Sequence, residues 1–183
     1  MTNEKRIKPM PRAIYKINMW SYKIWDLFQN PKRYLEGIPL REGITVIDYG
    51  CGPGRYTLPI AKSVGPEGKV FAVDIQPLAV KTVNEKAARQ GLTNVEAILV
   101  DSYNTGIQEA SIDMVLLIDI LPIIRDRDAL FQEIYRLLKS DGLLFIKHGR
   151  IKMSRTREIV ESTGFFTVTE CRSHKIIVAP IKQ

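Results

Sequence analysis

Apolar and polar positions follow two periods along this chain. Short apolar runs such as Ile44–Ile47, Val70–Val73, Ile98–Val100, Met114–Leu117 and Leu143–Ile146 are each bounded by polar or glycine-rich stretches. Runs of this length and β-branched content predict strands near 44–49, 69–74, 95–100, 113–118, 142–148, 165–171 and 174–180. The stretches between them carry the wider helical spacing and predict helices near 55–63, 77–90, 127–138 and 153–163. The second opens with Pro77 in its first turn and ends at Gly91, and Asp126 and Asp128 put acids at the start of the third. Strand–helix alternation implies right-handed crossovers and a parallel sheet. Only Arg172-Ser173 joins the last two strands, which therefore form an antiparallel hairpin.

The first 43 residues read differently. Residues 1–11 are basic, contain Pro9 and Pro11, and predict a loosely attached end. Residues 12–29 are rich in large apolar groups, with Trp20, Ile24, Leu27 and Phe28 at helical spacing and a stop at Asn30-Pro31. A second short helix is expected over Tyr34–Ile38. The reading is a helical cap or lid over 1–43 and an α/β domain over 44–183.

The chemistry concentrates where the first strand ends, in Val46-Ile47-Asp48-Tyr49-Gly50-Cys51-Gly52-Pro53-Gly54. Glycines at alternate positions let the backbone turn tightly and a ligand sit against it. The helix that follows directs unpaired N–H groups at the same place. The dinucleotide fingerprint needs a third glycine at position 55, which is Arg55. The phosphate-loop pattern is absent, since Gly68-Lys69 is followed by Val70. Asp48, two residues before the first glycine, disfavours a pyrophosphate and favours a cationic cofactor.

These residues resemble the first motif of the class I S-adenosylmethionine-dependent methyltransferases, and the resemblance runs from Ile44 to Ile181. It implies a Rossmann-like α/β fold: a seven-stranded sheet of order 3-2-1-4-5-7-6, its last strand antiparallel, with helices on both faces. It implies S-adenosylmethionine as cofactor, with Asp48, Gly50, Gly52 and Gly54 around the methionine end. By the same resemblance Asp74 takes the ribose hydroxyls and Ile75 lies against the adenine. A carboxylate accepting two hydrogen bonds from a vicinal diol gives Asp74 a physical basis. Asp101 and Ser102, after the third strand, match the residues that reach the adenine amino group and ring nitrogen. Ile118, at the end of the fourth strand, is expected beside the cofactor. The run Ser111–Leu117 is similar to the family's fourth strand. Leu137–Ile146 is similar to its fifth, with Ser140 and Asp141 where proline and glycine are usual.

The acceptor is less legible. Methyl transfer from a sulfonium needs alignment and a dry site, and a base only where the nucleophile must lose a proton. His148 and Asp119, which end the fifth and fourth strands, are the candidate catalytic residues. Structural roles stand beside them, a hydrogen-bonded strand-end histidine and a turn cap. Tyr49 and Tyr56 suit either the methionine pocket or the core. Trp20, Tyr22 and Trp25 suit either a lid or helix packing, and Cys51 reads as a small loop filler. Asp119-Ile120-Leu121-Pro122 lacks the paired prolines and aromatic of the enzymes that methylate exocyclic amines. Neither cysteine stands where the 5-methylcytosine enzymes need one. Lys147-His148-Gly149 lacks the acid-amide pair of the metal-dependent catechol enzymes, and two cysteines are too few for the arsenite type. The chain looks most like small stand-alone methyltransferases related to the quinone-biosynthesis type.

Composition narrows this further. At 183 residues and 45% hydrophobic content, one soluble domain with a sizeable core is expected. No apolar run approaches the roughly 20 residues of a membrane span, and no secretory signal opens the chain. Cytoplasmic location is the default expectation. The two cysteines and two histidines predict neither a disulfide framework nor a metal site. The net charge of +7 is uneven: residues 1–43 carry nine Lys/Arg against four Asp/Glu, 44–143 ten against thirteen, and 144–183 eight against three. Basic ends around an acidic centre suit an anionic substrate, a nucleic acid or an acidic membrane surface, and they also serve solubility. A small-molecule acceptor is expected on the short N-terminal extension. An RNA acceptor held by the basic ends, or a non-catalytic S-adenosylmethionine-binding protein, are the alternatives.

Overall fold

The computed structural model describes residues 6–17, 19–20, 35–147, 151–172 and 175–181. His148, Tyr22, Trp25 and most of the expected helix over 12–29 lie outside these residues. The core elements are β1 (Thr45–Tyr49), α1 (Thr57–Val64), β2 (Lys69–Asp74), α2 (Pro77–Arg89), β3 (Val95–Leu99), β4 (Ile112–Ile118), a 3₁₀ turn (Leu121–Ile123), α3 (Arg127–Leu137), β5 (Leu138–Lys147), α4 (Met153–Glu161), β6 (Phe166–Arg172) and β7 (Lys175–Pro180). The seven strands form one sheet of order β3-β2-β1-β4-β5-β7-β6. β7 runs antiparallel to β5 and β6, and every other pairing is parallel. The expected topology is thus the observed one.

Two apolar layers sandwich the sheet. Ile47, Val73, Val115, Leu117, Leu144 and Ile146 pack with Leu130, Phe131 and Ile134 of α3 and Val160 of α4. Val46, Val70, Leu116 and Phe145 face the other way and pack with Ile60, Ala61 and Val64 of α1. The central strands are therefore apolar on both sides, which is why they read as unbroken runs in the sequence. α2 starts at Pro77, and Gly91, in left-handed backbone with φ +64°, ends its last turn. Asp126 caps α3 by accepting from the Ala129 N–H at 3.1 Å.

β5 departs from the expected boundaries. It begins at Leu138, directly after α3, rather than near 142. The register jumps from Ile112↔Leu138 to Met114↔Leu143, so residues 139–142 form a bulge. Gly142 is required there, since a Cβ would sit 2.9 Å from the Ile112 carbonyl oxygen. Asp113 fastens this end of the sheet. Its Oδ2 accepts from the Thr45 N–H at 2.8 Å and its Oδ1 from Lys139 Nζ at 2.7 Å. One carboxylate so joins the starts of β1, β4 and β5.

Candidate active site

The site lies at the opposite end, where the strands finish. β1 runs into Gly50, whose φ is +76°. A side chain there would be strained, and its Cβ would lie 2.7 Å from Ile120 Cγ2. The loop then folds back on β2, as Gly50 and Cys51 donate their N–H groups to the Val73 carbonyl at 2.7 and 3.1 Å. Gly52 donates to Asp74 Oδ2 and Gln76 to Asp74 Oδ1, each at 2.8 Å. Lys86 Nζ of α2 reaches the Pro53 carbonyl at 2.6 Å. Cys51 is buried against Ala72 and Val83, which fits a loop filler.

Asp48 sits beneath this loop, 2% exposed, with its Oδ2 accepting from Thr57 Oγ1 at 2.6 Å. Burial pushes its carboxyl up to about 6, against the Thr57 hydrogen bonds that favour the anion, and the nearby Asp74 charge pushes the same way as burial. Asp74 is also raised by burial, while the N–H groups of Gln76, Gly52 and Ile75 hold the shift back. Two buried acids in this position form a pocket of negative potential that a positive ligand would relieve.

Beyond the ends of β2 and β3 lies a cleft of about 610 Å³. Ile75, Asp101 and Ser102 line it together, so the structure brings these three predicted residues into one place. Ser102 is buried and the Asp101 side chain is exposed. Leu99, Asn104, Thr105 and Gly106 also border the cleft and were missed by the motif reading. Leu99 closes β3, and the signal for the other three was the mostly polar run Ser102–Gly106 shortly after that strand. Glu133 was missed as well. Its Oε1 accepts from Thr105 N at 2.9 Å and Thr105 Oγ1 at 2.8 Å. Arg136 Nε donates to Oε2 at 2.7 Å. Desolvation notwithstanding, these bonds hold the Glu133 carboxyl below its usual range.

The other described residues of the prediction do not line this cleft. Ile118 packs with Leu116 and Phe145 in the α1-side layer. Asp119 directly follows β4 in left-handed backbone, φ +60°, and accepts from Lys147 Nζ at 3.0 Å. His148 is outside the described residues. Tyr49 is buried, with its hydroxyl donating to the Tyr103 carbonyl at 3.0 Å, and Tyr56 belongs to the α1-side core. Trp20 is 65% exposed and so does not pack a helix onto the sheet. Among the described residues, no group of His, Cys, Asp or Glu converges to hold a metal ion. No described helix is long and apolar enough to cross a membrane.

The N-terminal segment crosses this end of the sheet. Ile7 and Pro9 wall the cleft, and the Ile7 N–H donates to the Asp101 carbonyl at 2.7 Å. Arg6 Nε lies 3.6 Å from Asp101 Oδ2. The Gln76 side-chain amide faces the peptide of Met10, and Tyr15 is buried near Gly52.

With a glycine loop tied to an acid and a cleft beside it, the comparison with known proteins becomes decisive. Residues 40–180 match the family model described as a methyltransferase domain. The chain belongs to that family. Its membership bears out the resemblance to class I S-adenosylmethionine-dependent methyltransferases, enzymes that use S-adenosylmethionine as methyl donor. Nocamycin O-methyltransferase of Saccharothrix syringae is 32% identical over 111 residues, covering 61% of this chain and 40% of the relative. Demethylmenaquinone methyltransferase of Staphylococcus aureus is 27% identical over 128 residues, covering 70% of this chain and 50% of the relative. The chain thus spans half or less of the curated relatives it matches. The crystal structure of a SAM-dependent methyltransferase from Aquifex aeolicus superposes with a TM-score of 0.75 at 24% identity, covering 87% of this chain and 98% of that one. That likeness bears on the fold.

Proposed function

We propose that this protein transfers a methyl group from S-adenosylmethionine to a small-molecule acceptor. The observation that carries the reading is the pair of contacts on Asp74. Gly52 N–H and Gln76 N–H each take one carboxylate oxygen at 2.8 Å, which leaves each oxygen an acceptor site for a ribose hydroxyl. The apolar walls Ile75, Leu99 and Val100, with Asp101 and Ser102 among them, suit a purine with an exocyclic amine. Asp48 supplies negative charge beneath the loop that a cationic donor needs. Gly50, Gly52 and Gly54 let the donor approach the backbone.

The sulfonium supplies an electrophilic methyl when the donor is bound. The chain's own residues position, shield and tune. Asp74 and Asp101 orient the nucleoside. The N-terminal segment serves as a cap, with Ile7, Pro9 and Tyr15 closing the open side and excluding water. Asp119 is proposed to face the acceptor, held by Lys147, and His148 to act as base where the nucleophile carries a proton. The nocamycin and demethylmenaquinone relatives, by their names, methylate small molecules, which supports that acceptor class over RNA.

Calorimetry with S-adenosylhomocysteine and with NAD tests the cofactor. Binding of NAD with none of the sulfur nucleosides would overturn the reading. S-adenosylhomocysteine release over a panel of phenols, amines and quinols then identifies the acceptor. Turnover of transfer RNA alone would overturn the small-molecule assignment.

A further inference from the structure

The segment from Arg6 to Trp20 turns an apolar stripe away from the protein. Residues 12–17 and 19–20 are helical. Tyr15 is the buried member, and its hydroxyl lies 3.9 Å from the place a Gly52 Cβ would take. At 3.6 residues per turn, Ile14, Ile17 and Trp20 fall within about 120° of one another, centred about 160° from Tyr15. They are 50%, 66% and 65% exposed. A helix held on a globular core normally turns such a stripe inward. This one is held by a single face and offers its stripe to the surroundings.

Charge accompanies the stripe. Residues 6–20 contain Arg6, Lys8, Arg12 and Lys16 and no acid, and all four cations are exposed. Isoleucines and an indole on a short helix with Arg12 and Lys16, led in by Lys8 and Arg6, match the layers of an anionic bilayer surface. Apolar groups enter the acyl boundary, tryptophan sits at the headgroup level, and lysines and arginines meet the phosphates. We propose that this segment docks the protein on an anionic lipid surface through Ile14, Ile17 and Trp20. RNA would use the cations and stack on Trp20, but it offers no apolar phase to two isoleucines. A second copy would set four cations against four cations, in a chain that carries +7 overall. Docking needs neither cofactor nor turnover, so it stands apart from the proposed methyl transfer.

The test uses the full chain sedimented with sucrose-loaded vesicles. One set is phosphatidylcholine alone, and the other is three parts phosphatidylcholine to one part phosphatidylglycerol. The anionic set should bind about tenfold tighter or more, with the preference fading at high salt. Ile14→Ser/Ile17→Ser and, separately, Arg12→Gln/Lys16→Gln should each lose about tenfold in vesicle affinity. Trp20→Ser is an independent single-site probe, and unchanged circular dichroism checks each variant's fold. No binding to either vesicle set overturns the proposal, as does equal binding to both. Binding that survives both Ile14→Ser/Ile17→Ser and Trp20→Ser also overturns it, since the stripe would then be idle. Loss of a dimer in sedimentation velocity, or of binding to a single-stranded RNA oligonucleotide, in place of vesicle binding assigns the stripe to another partner and overturns it too.

Discussion

Gly52 N–H donates to Asp74 Oδ2 at 2.8 Å, so the loop after β1 and the end of β2 share one carboxylate. Asp74→Ala therefore removes a loop anchor together with the proposed ribose contact. Cofactor affinity should fall by about 2–4 kcal/mol, the loss of two charge-assisted hydrogen bonds. Asp101→Ala, at an exposed side chain, should cost less. Calorimetry with S-adenosylhomocysteine on both variants checks the order. A reversal would move the ribose site from β2 to β3.

Gly50→Ala combines two penalties that can be separated. Left-handed backbone costs an alanine about 1–2 kcal/mol, and overpacking against Ile120 adds about 1–3 kcal/mol. Gly91→Ala, with φ +64° and nothing within 4 Å of the new Cβ, should show the first alone. Ile120→Ala in the Gly50→Ala background should recover part of the second. Urea unfolding of the four proteins gives the partition. Equal losses for the two glycine variants would remove the Ile120 contact as a factor.

Asp48 should leave a signature in the pH dependence of stability. Its carboxyl lies at about 6 in the fold, while the unfolded chain ionises in the usual range near 4. Between these values the folded chain holds a proton that the unfolded chain has released. Stability from this group is thus greatest in acid and declines as pH rises through the window, by about 3 kcal/mol in all. Asp48→Asn should be more stable than the parent above pH 6 and equal to it near pH 4. The same ionisation links to binding: a cationic donor favours the carboxylate, so its binding at pH 6 should release protons. Calorimetry in buffers of different ionisation heat reads that release.

Glu133 has the opposite sign. Its carboxyl is held low by Arg136 and Thr105, so its contribution is present above the usual range and lost as pH falls through the lowered value. Glu133→Gln should cost about 1–2 kcal/mol at neutral pH, because Arg136 loses its charged partner but remains partly solvated. Thr105 borders the cleft, so nucleoside affinity should fall as well. Denaturation and calorimetry on one preparation check both effects.

Deleting residues 1–30 should leave a folded core, since the sheet is encoded after Ile44. Turnover should fall more than cofactor affinity, because the lost segment walls the cleft without supplying Asp74. Aggregated product would instead make Tyr15 and its neighbours part of the core.

Strand ends were the most legible part of the chain. Asp48, Asp74 and Asp101 each come directly after an apolar run, and the sheet places all three at one end. Ile75, Asp101 and Ser102 share a cleft for that reason. The N-terminal segment was less legible, because helical spacing identifies a stripe and not the side that is covered. Trp20 read as either lid or packing and is exposed, while Tyr15 faces inward. Ile118, expected beside the cofactor, packs in the α1-side layer, because neighbours in a strand face opposite layers. Glu133 was hidden because an acid on a helix reads as solvated until its partner from another loop is known.

The Asp113 clasp has an evolutionary corollary. Thr45, Asp113 and Lys139 fix the frame at the far end from every residue proposed to meet donor or acceptor. The rim segment 123–125, between the buried Leu121 and the α3 cap Asp126, can be lengthened, shortened or exchanged without loosening that clasp. Selection can therefore retool acceptor preference by trading rim loops, while foldability is inherited from the clasped end unchanged.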